Sequence, residues 1–334
     1  MKMMMSVLKN NFYRLMERKS RVWLCFGLTL GAALAALFLN TTTRTIGKVA
    51  VVADNPTELS SPNLNITYVK AVPPLSQLVL SKYDAIITQS EEGGYKVETI
   101  KSEQFRRTIE EIIANPSGYS SDSSGARQIG TSIVGFLMMF ILMQGVSTMY
   151  LFAEDKEREQ IKRIASSPVS FTGYLLGHSI FTFLFLLLPS LLVICFIKYV
   201  CRIWVGFGFF EYLFLLTLIC MLAAAFSLFL QAFIKSGDSA NMIGSAIVIL
   251  TSILAGSFYS FEENNQALSV ISKVLPQKLF LTAADLLEKG SGIQALFPYI
   301  FILALLSIFF FFAAVGKTRG DYWAGNRKPR KGGA

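Results

Sequence analysis

The chain has 334 residues, 53% of them hydrophobic and only 16% charged, with a mean hydropathy of +0.49. A soluble protein of this size fills its core with far less apolar content, so the composition excludes an ordinary globular enzyme and points to an integral membrane protein. The net charge of +9 gathers at the two ends of the chain, which argues against nucleic acid as a partner, and one histidine beside four scattered cysteines leaves almost no zinc chemistry.

Residues 1–21 carry six bases, Lys2, Lys9, Arg14, Arg18, Lys19 and Arg21, against the single acid Glu17. Val7, Leu8, Phe12, Leu15 and Met16 recur at helical spacing, which predicts a basic amphipathic helix suited to an anionic leaflet. An ordinary positive flank to a first span accounts for the same residues. Residues 22–39 hold no charge. They are too long for the core of a signal peptide, and five more apolar runs follow, so they read as a true span. Gly27 and Gly31 stand in it at a spacing that allows close helix contact.

Residues 40–127 form the one long polar region. Strands are expected at 49–53, 66–69, 83–88 and 95–100, the last two as a hairpin. Leu75–Leu80 reads as a short helix. Ser102 is placed to cap a second helix, with Phe105, Ile109, Ile112 and Ile113 on one face. This is a small α/β module with no catalytic constellation. Four further spans are expected at 129–152, 174–197, 213–234 and 240–258. A mixed loop over 259–294 follows, with short helices around 267–275 and 279–289. A sixth span at 295–315 and a basic tail at 316–334 complete the chain.

The pattern predicts an all-α polytopic membrane protein of six transmembrane helices, with a small extracytoplasmic α/β domain between helices 1 and 2. The tail carries six bases against Asp321, whereas residues 40–125 carry eight bases against ten acids. The positive-inside rule then puts both termini in the cytoplasm and the module outside. Lys198 and Arg202, on a short external turn, are the exception.

The stretch over 154–170 lies between the second and third spans. Eight of its first ten residues are charged, four acidic and four basic. Ile161 and Ile164 give a helix over Asp155–Ala165 one thin apolar edge, and Ser166 with Pro168 should stop it. The acids Glu154, Glu157 and Glu159 are interleaved with bases and read as solvated, not as a general acid/base pair. The stretch is either a solvated linker or the place where a soluble partner pushes on the bilayer spans. In the spans, Gln144 and Asn241 read as bridges between helices. His178 reads as a packing or interfacial residue, and Phe309–Phe312 as lipid-facing and packing material. No catalytic and no metal-binding set is found.

These features resemble the ABC exporter permeases of the second type over nearly the whole chain. Glu157, Arg158, Lys162, Arg163, Ser167 and Pro168 look like the family's charged coupling segment. Gln160-Ile161 departs from the Gly-Thr often found there. Ala255-Gly256-Ser257-Phe258, followed by Leu275-Pro276, looks like the family's end of the fifth span with its external re-entrant helices. The resemblance implies a half-transporter of a bacterial plasma membrane that exports a hydrophobic or amphiphilic cargo (drug, peptide or lipid-like). A second permease subunit, identical or paralogous, and a separate ABC ATPase are implied partners, with ATP and Mg2+ held by the ATPase alone. Glu154, Glu157, Arg158, Ile161, Lys162, Arg163, Ile164 and Pro168 are its expected docking residues. Gln144, His178, Asn241, Gly256 and Phe258 are pathway or packing candidates. The chain has no GxxxxGK[ST] loop, and Gly316-Lys317-Thr318 lacks the preceding glycine and strand. The competing reading is a membrane-anchored peptide-binding or immunity protein without transport; a secondary transporter needs more charge within its spans than this chain has.

Overall fold

The computed structural model describes residues 2–17, 19–43, 47–52, 64–69, 71–74, 76–79, 83–89, 95–100, 103–114, 129–166, 170–203, 205–257 and 272–323. The chain divides into two compact units, residues 1–37 with 128–334, and residues 38–127.

The smaller unit is built on a four-stranded sheet of β1 (Gly47–Val52), β2 (Leu64–Val69), β3 (Ala85–Gln89) and β4 (Tyr95–Glu98), in the order β2-β1-β3-β4. β1 runs parallel to both β2 and β3, and β4 returns antiparallel to β3. Strand β1 is central and apolar on both sides, as a strand covered on both faces must be. Val49 and Val51 join Ala85, Ile87 and Val97 under the helix Glu103–Ala114, whose Ile109, Ile112 and Ile113 supply the opposing face. Ala50 and Ile86 point the other way, against Tyr83 and Leu78 of the short helix Ser76–Val79. With those two helices as α3 (Ser76–Val79) and α4 (Glu103–Ala114), the unit has one thick and one thin layer. The expected cap Ser102 lies outside the described residues.

The larger unit is helical. α1 (Lys2–Glu17) and α2 (Lys19–Thr43) meet at 85°. α5 (Ile129–Thr148) runs on into α6 (Tyr150–Glu157), then α7 (Gln160–Ala165) and α8 (Phe171–Cys195) follow. A π-helical turn over Phe196–Val200 closes α8. α9 (Phe209–Phe233), α10 (Gly237–Leu254), α11 (Pro276–Glu288) and α12 (Ile293–Trp323) complete it. Among the described residues, five stretches are long and apolar enough to cross a membrane, and the bent pair α1–α2 makes a sixth if counted as one. The innermost is Ile129–Glu157, with 78% of its apolar window buried, against 22% for the last helix.

Several boundaries differ from the sequence expectation. The second span does not stop at Phe152 but continues through Glu157, so the charged run begins inside a helix. The helix expected over Asp155–Ala165 is two pieces, because Glu159 takes a left-handed backbone with φ of 57°. α12 continues past Val315 to Trp323, with Lys317 and Asp321 paired at 2.6 Å one turn apart. The helix expected around 267–275 falls almost wholly outside the described residues, and α11 is the second of that pair, started by Pro276. Gly27 and Gly31 have open space where a Cβ would stand. Helix α2 packs instead through Ala32, Ala33 and Ala36.

Candidate functional site: a buried charge cluster at the foot of the second span

Helix α6 ends on Glu154-Asp155-Lys156-Glu157, and three acids in a last helical turn oppose the helix dipole. They persist because each finds a partner. Glu154 is not solvated as expected but buried, at 6% exposure, and Asp155 beside it is at 3%. Arg14 of α1 places one guanidinium nitrogen 2.7 Å from Asp155 Oδ1 and another 2.7 Å from Glu154 Oε2. One planar fork thus holds two carboxylates, geometry that a lysine ammonium does not reproduce. Tyr174 of α8 donates its hydroxyl to Asp155 Oδ2 at 2.7 Å. His178, one turn further along α8, has its Nε2 3.3 Å from the same oxygen. Its Nδ1 meets Asn11 Nδ2 at 3.1 Å. The ring is wedged edge-on between Phe152 and Tyr174. His178 therefore packs against the ion cluster.

The next two residues cap other helices. Lys156 Nζ donates to the carbonyls of Gln231, Ala232 and Ile234 at 3.1, 3.4 and 2.8 Å. These are the last carbonyls of α9, which a helix leaves unpaired and where its dipole favours a cation. Glu157 Oε1 accepts from the Gly237 N–H at 2.9 Å, at the positive end of α10. Four consecutive side chains bind four different helices: α1 and α8 through the first two, α9 and α10 through the others.

Helix α7 hangs from this anchor. Ile161 is fully buried among Met149, Phe152, Tyr174, Leu228 and Val315, with Ile164 half-buried against the same cluster. The other side is open. Arg158 is 63% exposed while its guanidinium pairs with Glu154 at 2.6 Å. Lys162 bonds to Glu159 and lowers that carboxylate's pKa. Lys162 and Arg163 are both exposed. Pro168 and Ser167 lie outside the described residues, as does Phe258.

The structure does not bring the other candidates to this place. Gln144 bridges α5 to α2, donating to the Cys25 carbonyl at 3.3 Å and to Thr29 Oγ1 at 3.2 Å and accepting from the Cys25 thiol at 2.9 Å. Asn241 is half-buried near the start of α10. Gly256 ends α10, with φ of 77°. Its N–H bonds to the Ile253 carbonyl, and that of Ser257 to Ser252 O, both at 2.9 Å, the paired bonds of a Schellman cap. It terminates the helix. Gly316-Lys317-Thr318 lies in mid-helix, where Thr318 Oγ1 donates to Ala314 O at 2.7 Å. Its backbone is committed to the helix and forms no phosphate loop.

Sequence reasoning missed Asn11, Arg14, Asp155, Lys156 and Tyr174 as site residues. Two signals were present. Acids in the last turn of an apolar helix demand a compensating cation, and Val7, Asn11, Arg14 and Leu15 share one face of α1. It also missed Glu288. Its carboxylate takes the Gly130 and Thr131 N–H groups at 2.7 and 2.6 Å and the Thr131 hydroxyl at 2.7 Å, so it caps the first turn of α5.

A bundle of long apolar helices whose few charges are paired off at helix ends is a multi-pass membrane protein. Residues 8–315 match the family described as ABC-2 family transporter protein, and the chain belongs to that family. It is a family of membrane transport subunits. No curated protein matches the chain.

Proposed function

We propose that the chain is the permease subunit of an ATP-driven exporter, with α7 as the surface on which a separate ABC ATPase pushes. ATP and Mg2+ belong to that ATPase. Both termini and α7 face the cytoplasm of a bacterial plasma membrane, α1 lies along its inner surface, and the α/β unit is outside. A second permease subunit completes the pathway. The cargo is hydrophobic or amphiphilic, since the spans offer little fixed charge to a charged solute.

The observation that carries this reading is the anchoring of α7. Lever and bundle must be stiffly joined if work done on one is to move the other. Arg14, Asp155, Lys156 and Glu157 tie the foot of α6 to four other helices, while Arg158, Lys162 and Arg163 remain exposed beside it. Exposed bases flanking a buried Ile161 suit charge-assisted contact with an acidic groove on a partner. A solvated linker needs no such framework.

The experiment is purification from native membranes in mild detergent. An ABC ATPase should co-purify, and ATP hydrolysis should appear only with it. Robust hydrolysis by the isolated chain, or its isolation with no ATPase under conditions that preserve the bundle, sinks the reading.

A further inference from the structure

His178 is the one histidine of the chain. It is 2% exposed, and its two nitrogens have different surroundings. Asn11 Nδ2, 3.1 Å from Nδ1, is a donor, so Nδ1 must offer a lone pair. The proton of the neutral ring then sits on Nε2, facing Asp155 Oδ2 at 3.3 Å, an ion-pair distance without the alignment of a full hydrogen bond. Asn11 is fully buried, and its carbonyl oxygen Oδ1 has no partner among the described residues. An orphaned acceptor in such a place is costly unless another state uses it.

The amide supplies that state. Its oxygen and nitrogen are nearly equal in size, so half a turn exchanges them without a steric penalty. Turned, Asn11 presents Oδ1 to Nδ1, which can then carry a second proton. We propose that His178 is a proton-binding site, with Asn11 as its reversible partner and Asp155 as its counter-ion. In the neutral state Asn11 donates to Nδ1; in the imidazolium state Nδ1–H donates to Asn11 Oδ1 while Nε2–H faces Asp155.

The charges around the ring support one proton as the variable. From α1 comes Arg14, from α6 Glu154 and Asp155, and from the turn after it Arg158, so two cations face two carboxylates. A neutral imidazole leaves that set balanced. Tyr174 already donates to Asp155 and is no acceptor for the proton. Phe152 covers the ring, and Tyr322 of α12 packs on the same apolar cluster as Tyr174. A proton on His178 makes three cations compete for two carboxylates, and Asp155 is then shared between the imidazolium and Arg14. The attachment of α1 to α6 and α8 thereby depends on pH. Arg14, with 19% of its side chain exposed, and Arg158, with 63%, are the exposed edge of the cluster. This inference concerns the permease alone and does not depend on what it transports.

A single histidine makes the test direct. The full chain, labelled with nitrogen-15 only at histidine, gives one imidazole, whose nitrogen shifts report tautomer and charge. At about pH 8 the Nε2–H tautomer is expected to outnumber the other by about tenfold or more, and both nitrogens are expected to become protonated as the solution is made acidic. An Nδ1–H tautomer at the higher pH, or a neutral ring throughout, overturns the proposal. Asn11→Ala should weaken the tautomer bias, leaving only the part set by Asp155, and lower the pH at which the second proton enters. If that variant titrates as the wild type does, Asn11 is not the partner and the proposal fails. Asn11→Asp, which when ionised accepts but does not donate, is the second variant should Asn11→Ala not fold. It should hold the imidazolium at about pH 8, and a neutral ring there counts equally against the proposal.

Discussion

Glu157 accepts a hydrogen bond from the backbone N–H of Gly237 at 2.9 Å, so a residue that looks like a free charge on a loop adds a cap to the start of α10, beside the N-cap Ser236. This changes what a charge reversal there reports. Losing the cap costs about 0.5–2 kcal/mol, and a cation at a helix N-terminus adds about 0.3–1 kcal/mol. Glu157→Lys should therefore melt measurably below wild type in detergent. Glu157→Gln, which keeps an acceptor oxygen, should stay close to it. A loss of export in the lysine variant is thus evidence about ATPase contact only if the glutamine variant loses export too. Equal melting of Glu157→Lys and wild type would show that the cap has no weight.

Arg14 is the residue whose loss should cost most. Removing one partner of a buried ion pair typically costs about 3–5 kcal/mol, because the other charge is left without compensation. Arg14→Gln leaves Asp155, at 3% exposure, without its guanidinium partner, while Glu154 keeps its pair with Arg158. Neutralising them as well should recover much of the loss. The triple variant Arg14→Gln, Glu154→Gln, Asp155→Asn should be more stable than Arg14→Gln alone, a non-additivity expected of groups sharing one network. Denaturant or thermal unfolding of the four corresponding proteins decides it. Strictly additive losses would mean that Arg14 acts through packing alone.

Much of this fold was legible because apolar runs and period-two alternation are local signals. The helix of Phe105, Ile109, Ile112 and Ile113 and the hairpin partners around 83–88 and 95–100 were read from spacing alone. The charge cluster was not legible in the same way. Arg14 and Asp155 are 141 residues apart, and nothing local to either says which face of α1 meets which helix. Glu154 reads as solvated because its neighbours in sequence are bases, yet it is buried. Its compensation comes from Arg14 of α1, far away in sequence, and from Arg158. The break at Glu159 was also invisible, since a left-handed residue other than glycine leaves no compositional mark. Gly256 is ambiguous for the opposite reason: a glycine that ends a helix and one that lines a pathway look alike in sequence.

The proposed orientation can be tested by labelling intact cells. Cys201 is an exposed native thiol and is replaced first. A cysteine put in place of Lys96, whose side chain is 70% exposed on the α/β unit, should react with an impermeant thiol reagent from outside. One put in place of Ser166, exposed after α7, should react only after the cells are opened. Reversed labelling would place α7 outside and remove the basis for an ATPase at that surface.

The last prediction concerns how α1 is held. Gly177 lies where α1 crosses α8, and a Cβ built there would stand 2.8 Å from Val7 Cβ and 3.1 Å from the Met4 carbonyl oxygen. Real carbon atoms do not approach so closely, so the two helices must separate if that position gains a side chain. Residue 177 is one position from His178, and Val7 is one turn from Asn11. Separation at this crossing therefore lengthens the Asn11–His178 contact of 3.1 Å and pulls Arg14 from Asp155. Gly177→Ala should raise the glycine's helix propensity and yet loosen α1, two effects of opposite sign that an assay on the whole protein would blur. Trypsin separates them, since Lys9 and Arg14 on α1 are cleaved only when that helix leaves its seat. A weakening of about 1–2 kcal/mol raises the open population by a factor of about 5–30, and the cleavage rate should follow it. Val7→Gly placed in the Gly177→Ala background returns the missing space and should bring the rate back toward wild type. The same rate in wild type and Gly177→Ala would mean that the crossing yields without moving α1. Faster cleavage that Val7→Gly leaves unchanged would mean that the loss arises elsewhere in α8.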